Sequence, residues 1–263
     1  MPEPKTPKTW ILAENQWVPL KSAPPHACPY LSGREMTLDL GIIIPDAATF
    51  DTLLARGHRR LGQVFYRPAC DDCRECLPIR IPVADFSPSK SQRRTWRKLA
   101  ERYTVKVHPP TYDPGHFDLY RRHALHVATD NPPSDPESYE RAFLLSQVNT
   151  HLLEYRVDDE LVAVSVVDEG ARALSSVYVF WDPDKPEFSP GTFSALWELR
   201  WAQAIGKDAY YLGYWVRDCS HMNYKSRFRP FELYDWRDDK WCRFNISKPD
   251  IISAAEACAG DAR

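Results

Sequence analysis

Hydrophobic and polar positions along the chain follow two periods. In the second half, His151–Val157, Glu160–Val167 and Arg172–Trp181 are rich in Val, Leu, Tyr and Phe with short polar breaks, which predicts three consecutive strands. Asp158-Asp159 between the first two predicts a tight hairpin turn. Asp208–Trp215 predicts a last long strand, and Met36–Ile44, Gln63–Arg67 and Pro78–Val83 predict shorter ones upstream. Helical spacing appears at Phe50, Leu53 and Leu54 within Pro45–Gly57, with Gly57 placed as the C-terminal cap. Ser91–Tyr103 predicts an amphipathic helix with Trp96, Leu99 and Tyr103 on one face and Arg93, Arg94, Arg97, Lys98 and Arg102 largely on the other. Two further helices are predicted at roughly 115–128 and 136–148, split by TDNPPSDP, and another at 192–205 with Phe193, Leu196, Trp197 and Trp201 as its apolar set.

Downstream of Pro109–Pro114 the order is helix, helix, three strands, helix, strand. This predicts an α/β (α+β), acetyltransferase-like fold, with a mixed, mainly antiparallel sheet and flanking helices, preceded by a Cys-rich N-terminal half. The punctuation divides the chain into an irregular lead-in (1–27), a Cys-rich N-terminal domain (28–108), an acetyltransferase-like domain (109–247) and an Ala-rich tail (248–263).

Composition narrows the function. Hydrophobic residues are 43% and charged residues 27% of 263, the balance of a folded chain. A formal net charge of -2 requires any nucleic-acid contact to come from a local basic patch. The polar start, MPEPKTPKTW, has no apolar core of a leader, and no run of about 18 apolar residues occurs. The expectation is a cytoplasmic protein with no membrane partner and no DNA partner. Seven Cys in such a chain point to thiols or metal rather than disulfides. Cys219, Cys242 and Cys258 are isolated and read as ordinary small side chains.

Cys70-x-x-Cys73-x-x-Cys76 places three thiols in seven residues, and Cys28 upstream can supply a fourth ligand. Four thiolates suit zinc or an iron–sulfur cluster, and the sequence does not separate the two. Lys90–Arg102 carries six cations in thirteen residues, with Glu101 the only acid. Lys90, Arg93, Arg94, Arg97 and Lys98 can therefore track a phosphate backbone, with Arg59, Arg60 and Arg67 extending the patch.

Several ordered motifs then coincide. Cys28-Pro-Tyr-Leu, the block from Gly57 to Arg80 and Phe86-Ser-Pro-Ser-Lys-Ser-Gln-Arg-Arg resemble the N-terminal half of the arginyl-tRNA–protein transferase family. Tyr178-Val-Phe-Trp-Asp-Pro-Asp, Gly191-Thr-Phe and Tyr210 through Pro230 resemble its C-terminal half. The short form and the CxxCxxC loop look most like the bacterial aspartate/glutamate leucyltransferase branch. The resemblance implies transfer of leucine from leucyl-tRNA to the N-terminal Asp or Glu of acceptor proteins, marking them for degradation through the N-degron pathway. It also implies an acetyltransferase-like fold without acetyl-CoA. The alternatives are arginyl transfer from arginyl-tRNA, or an RNA-binding adaptor whose transferase pocket has decayed. One departure favours the adaptor. After Leu119-Tyr120-Arg121-Arg122 the family usually shows an aromatic and later a His, where this chain has His123 and Ala128, with His126 nearby.

Aminolysis of an aminoacyl ester needs positioning, a proton acceptor and oxyanion stabilisation, but no covalent nucleophile. An acidic acceptor side chain calls for cations, and Lys225, Arg227 and Arg229 are the candidates. Tyr178, Tyr214 and Tyr224 can position groups or relay protons, and Asp182 can orient the amine or act as base. The Ser189–Thr192 helix start can donate amides, or Ser189 can simply cap the helix.

Overall fold

Asp158 and Asp159 both adopt left-handed φ (50° and 64°), and the tight turn predicted from this pair joins two antiparallel strands. A computed structural model describes residues 13–22, 24–127 and 135–244. Its strands are Val18–Pro19 (β1), His26–Ala27 (β2), Glu35–Met36 (β3), Leu38–Ile42 (β4), Arg59–Leu61 (β5), Val64–Pro68 (β6), Leu77–Pro82 (β7), Tyr103–His108 (β8), Asn149–Val157 (β9), Glu160–Glu169 (β10), Ala173–Trp181 (β11), Ala209–Trp215 (β12), Phe231–Asp235 (β13) and Lys240–Phe244 (β14). Its helices are Ala47–Ala55 (α1), Lys90–Leu99 (α2), Pro114–His126 (α3), Pro136–Tyr139 (α4), Pro190–Ala204 (α5) and Ser220–Asn223 (α6).

Eight strands form one sheet in the order β14-β13-β7-β12-β11-β10-β9-β8. Only β11 and β12 pair in parallel; every other neighbour is antiparallel. This is the mixed, mainly antiparallel α/β arrangement expected. The boundary expected near residue 109 falls between strands of this one sheet: β7 sits inside it and β8 at its edge, both from the N-terminal side. A smaller sheet, β1-β4-β6-β5, gathers more of that half, and the lead-in contributes β1 to it.

The core is continuous across the two halves. Ile79 and Ile81 of β7 pack with Leu153, Leu174, Leu233 and Leu199 in one buried cluster. Each such aliphatic side chain contributes roughly 1.5–3 kcal/mol by leaving water. Gly57 ends α1 with φ +80°, and a Cβ there would lie 2.6 Å from Trp236, so glycine is needed for conformation and for space.

Three segments depart from the sequence reading. Tyr103, expected at the end of the basic helix, starts edge strand β8, because that helix stops at Leu99. The 136–148 helix is only a turn, α4, which widens into a π-helical stretch at Glu140–Leu144. The β13–β14 hairpin was not anticipated. Ala128, Cys258 and the 248–263 tail lie outside the described residues.

Candidate functional site

The parallel pairing of β11 and β12 is brief: Ala173–Ser175 meet Ala209–Tyr211, and no pairing continues beyond. Arg59 fills the opening. Its Nη1 donates to Ser175 Oγ at 2.7 Å and its Nη2 to the Ser176 carbonyl. Next to it in the chain, Arg60 makes a bidentate buried pair with Asp168, both bonds at 2.7 Å. The expectation that Arg59 and Arg60 extend a surface patch is therefore corrected: both are buried and spend their donors inside the protein. Arg67 is half-exposed but faces Asp39 at 3.1 Å.

Beside this opening α5 buries Glu198, 1% exposed. Tyr210 Oη donates to it at 2.6 Å and Tyr155 Oη at 3.3 Å. Burial pushes the carboxyl above its ordinary range despite these donations. Glu198 is not among the residues the sequence points to. Its only signal was an acid between Trp197 and Leu199, on a helix whose other faces are largely apolar. Tyr224, a predicted site residue, belongs to this neighbourhood, and burial together with Glu198 pushes its phenol up to about 12, so the hydroxyl keeps its proton.

Asp182 and Tyr178 stand at the far end of β11. Asp182 is buried and accepts from Arg122 Nη1 at 2.7 Å and from the Asp184 amide at 3.1 Å. Tyr178 lies in an aromatic cluster with Tyr120, His123, Phe143 and Phe180. The structure thus brings Asp182 and Tyr178 near α3, and Tyr224 near Glu198. Ser189 has φ 44° and makes no side-chain cap, so the simple capping role does not hold.

The turn after β12 is folded inward. Lys225 is 8% exposed, and its Nζ donates to the Tyr214 carbonyl at 2.7 Å. Burial, then the Arg59 charge, lowers its pKa to about 7. Through this bond the amine holds the turn against β12. Arg227 is exposed, and half-buried Arg229 donates from Nε to the Ser226 carbonyl at 3.3 Å. Tyr214 Oη donates to the Gly57 carbonyl at 2.9 Å, tying this strand to the cap of α1.

The basic helix docks on the same turn. Gln92 completes a capping box with Ser89 and donates from Nε2 to the Arg227 carbonyl at 3.3 Å. Ser87 donates its amide to the Arg229 carbonyl at 3.1 Å. Lys90, Arg93, Arg94, Arg97 and Lys98 are all exposed, and none pairs with an acid among the described residues. Between α2 and α5 lies a pocket of about 270 Å³ whose lining includes Phe86, Trp96, Arg93, Arg97 and Arg200.

The cysteine loop lies on the other side of Tyr214. Buried Cys76 clusters with Tyr214 and Val216, against Tyr30, Leu31, Tyr66, Cys219 and Met222. Burial, then the nearby Cys28, Cys73 and Cys70, pushes its thiol up to about 12. Cys28, Cys70 and Cys73 are near enough to act on Cys76, but no three of the four sulfurs come within 4.8 Å of one another, so the structure does not assemble the thiolate set expected from the sequence. Cys242, read as an ordinary small side chain, is disulfide-bonded.

Residues 26–94 match the family described as arginine-tRNA-protein transferase, N terminus, and residues 115–235 its C terminus. An aspartate/glutamate leucyltransferase of Chromobacterium violaceum is 38% identical over 213 residues, covering 80% of this chain and 88% of the relative. The enzyme of that name from Nitrosococcus oceani is 39% identical over 225 residues, covering 83% and 93%. The solved structure of FemX overlaps 62% of this chain and 59% of its own, at 10% identity and a TM-score of 0.44.

The chain is accordingly an aminoacyltransferase. It belongs to the arginine-tRNA–protein transferase family.

Proposed function

We propose that the protein transfers leucine from leucyl-tRNA to the N-terminal Asp or Glu of acceptor proteins, in the cytoplasm where charged tRNA is available, and so marks them for degradation. The observation that carries this reading is the docking of α2 on the 225–229 turn through Gln92 and Arg227. It sets a helix with five exposed cations beside the candidate acceptor cations, so a tRNA terminus and an acidic N-terminus can meet. Relatives bearing the leucyltransferase name support the choice of leucine.

Arg227 and Arg229 grip the acceptor carboxylate, and Lys225 holds the floor of the turn. Glu198 accepts the proton that the attacking amine loses, its raised pKa bringing it closer to that of the α-amine. Asp182, at the other end of β11, accepts from Arg122 and so steadies α3 rather than meeting the amine. Tyr224, beside Glu198, positions groups around the reacting ester, and Tyr178 supports α3 from the aromatic cluster beneath it. Drawn together, the four cysteines would hold a structural zinc or iron–sulfur centre, which would cross-link Cys28 to the 70–76 loop. No acetyl-CoA takes part.

Arg227→Ala tests the acceptor assignment. It should raise KM for Asp- and Glu-initiated peptides at least tenfold and leave KM for leucyl-tRNA within about twofold. Normal use of acidic peptides by this variant overturns the assignment.

A further inference from the structure

Away from the transfer site, three elements bring two imidazoles to one carboxylate. His108 ends β8, His116 lies in the first turn of α3, and Glu154 sits in the middle of β9. His116 Nε2 is 2.9 Å from Glu154 Oε1, and His108 Nε2 is 3.3 Å from the same oxygen. All three ligand atoms lie within 4.8 Å of one another. Bonds of about 2.05 Å in a tetrahedral zinc site set neighbouring ligand atoms roughly 3.3 Å apart, so a modest spreading of His116 and Glu154 would bring the group to ligand spacing.

The proton inventory points to a cation. His108 Nδ1 lies 3.0 Å from the Pro109 carbonyl, which can only accept, so Nδ1 carries a proton. In the neutral ring Nε2 is then a bare lone pair. That nitrogen is inaccessible to solvent, makes no hydrogen bond, and faces a carboxylate oxygen that is itself an acceptor. Something positive must sit between them: a second proton or a metal ion. His108 and Glu154 have the partners of a ligand set, while His116 Nδ1 is buried with no partner among the described residues. The Pro109 carbonyl fixes the His108 tautomer, and Arg156 Nε donates to Glu154 Oε2 at 2.7 Å, leaving Oε1 to face the imidazoles.

We propose that His108, His116 and Glu154 form a divalent-cation site, separate from the cysteines, that pins the start of α3 to the edge of the large sheet. Arg156 shares the charge of Glu154, so the site selects cations that imidazole nitrogen binds well, such as Zn²⁺, over Mg²⁺ or Ca²⁺. Through α3 the ion would steady Arg122, the partner of Asp182.

The test is a Co²⁺ titration of untagged full-length protein, stripped with chelator and followed by absorption. Wild type should bind one more equivalent than His108→Asn or Glu154→Gln. That equivalent should show ligand-field bands without thiolate-to-cobalt charge transfer, and Zn²⁺ should displace it. Zn²⁺ should also raise the Tm of wild type more than that of either variant. His108 is only part-buried, so His108→Asn is the deciding variant, and the wild-type spectrum is informative by itself. Equal stoichiometry in wild type and His108→Asn, or thiolate charge transfer on every bound cobalt, overturns the site and assigns the second positive charge to a proton.

Discussion

Gln92 Nε2 donates to the main-chain carbonyl of Arg227 at 3.3 Å, so the basic helix and the acceptor turn are held by one side chain. The same side chain accepts from the Ser89 amide at 2.8 Å and so caps the helix. Gln92→Glu keeps the cap, because Glu serves equally at that position, but loses the donor to Arg227. The expected result is a helix of unchanged content by circular dichroism, a stability loss of about 1–3 kcal/mol from the unmet carbonyl, and reduced single-turnover transfer. Wild-type transfer by this variant would show that the two elements need not be held together.

Arg60 and Asp168 form the most deeply buried ion pair among the described residues, each side chain 1% exposed. Asp168→Asn conserves volume but leaves the guanidinium charge without its partner. Urea unfolding should show a loss of about 3–5 kcal/mol, far above that of a surface pair such as Arg141–Glu137, where Glu137→Gln should cost less than about 1 kcal/mol.

His123 and His58 are buried, and burial first of all lowers each ring to about 4 from 6.5. Between these values the unfolded chain binds protons that the folded chain refuses. Each ring's share of stability is therefore complete above about pH 6.5 and falls as the pH drops toward 4, by roughly 3 kcal/mol per ring at most. His123→Phe, which keeps an aromatic against Trp181, should remove one share and flatten the stability profile in that window. An unchanged profile would show that His123 is not held neutral.

Much of the frame was legible. The β9–β10 turn followed from two aspartates, and the cap of α1 followed from Gly57, because local conformation alone demands those residues. What escaped depended on distant partners. β8 escaped because the polar positions of TVKVH look like a helix end until β9 pairs with them. The β13–β14 hairpin escaped because β13 is anchored to the sheet by β7, about 150 residues earlier in the chain. Glu198 escaped because an acid within a helix reads as solvent-facing unless the hydroxyls of Tyr155 and Tyr210 are known to meet it. Lys225 was legible as a cation, but its inward turn to Tyr214 was not.

The cations of α2 make a prediction in salt. For tRNA binding, the slope of log affinity against log salt should become shallower by roughly 0.7–0.9 for each phosphate that Arg93→Ala or Arg97→Ala deprives of its cation. Filter binding at several salt concentrations reads this slope, and an unchanged slope removes those side chains from the interface.

Leucyl transfer to acidic N-termini is read out by one assay that crosses two donors with four acceptors. Leucyl-tRNA and arginyl-tRNA are each incubated with the protein and with peptides beginning in Asp, Glu, Arg or Lys, and the products are read by mass spectrometry. The Asp and Glu peptides should gain the mass of one leucine and the Arg and Lys peptides nothing, with arginyl-tRNA inactive as donor. Arginine on the acidic peptides, leucine on the basic ones, or no transfer from either tRNA would contradict it.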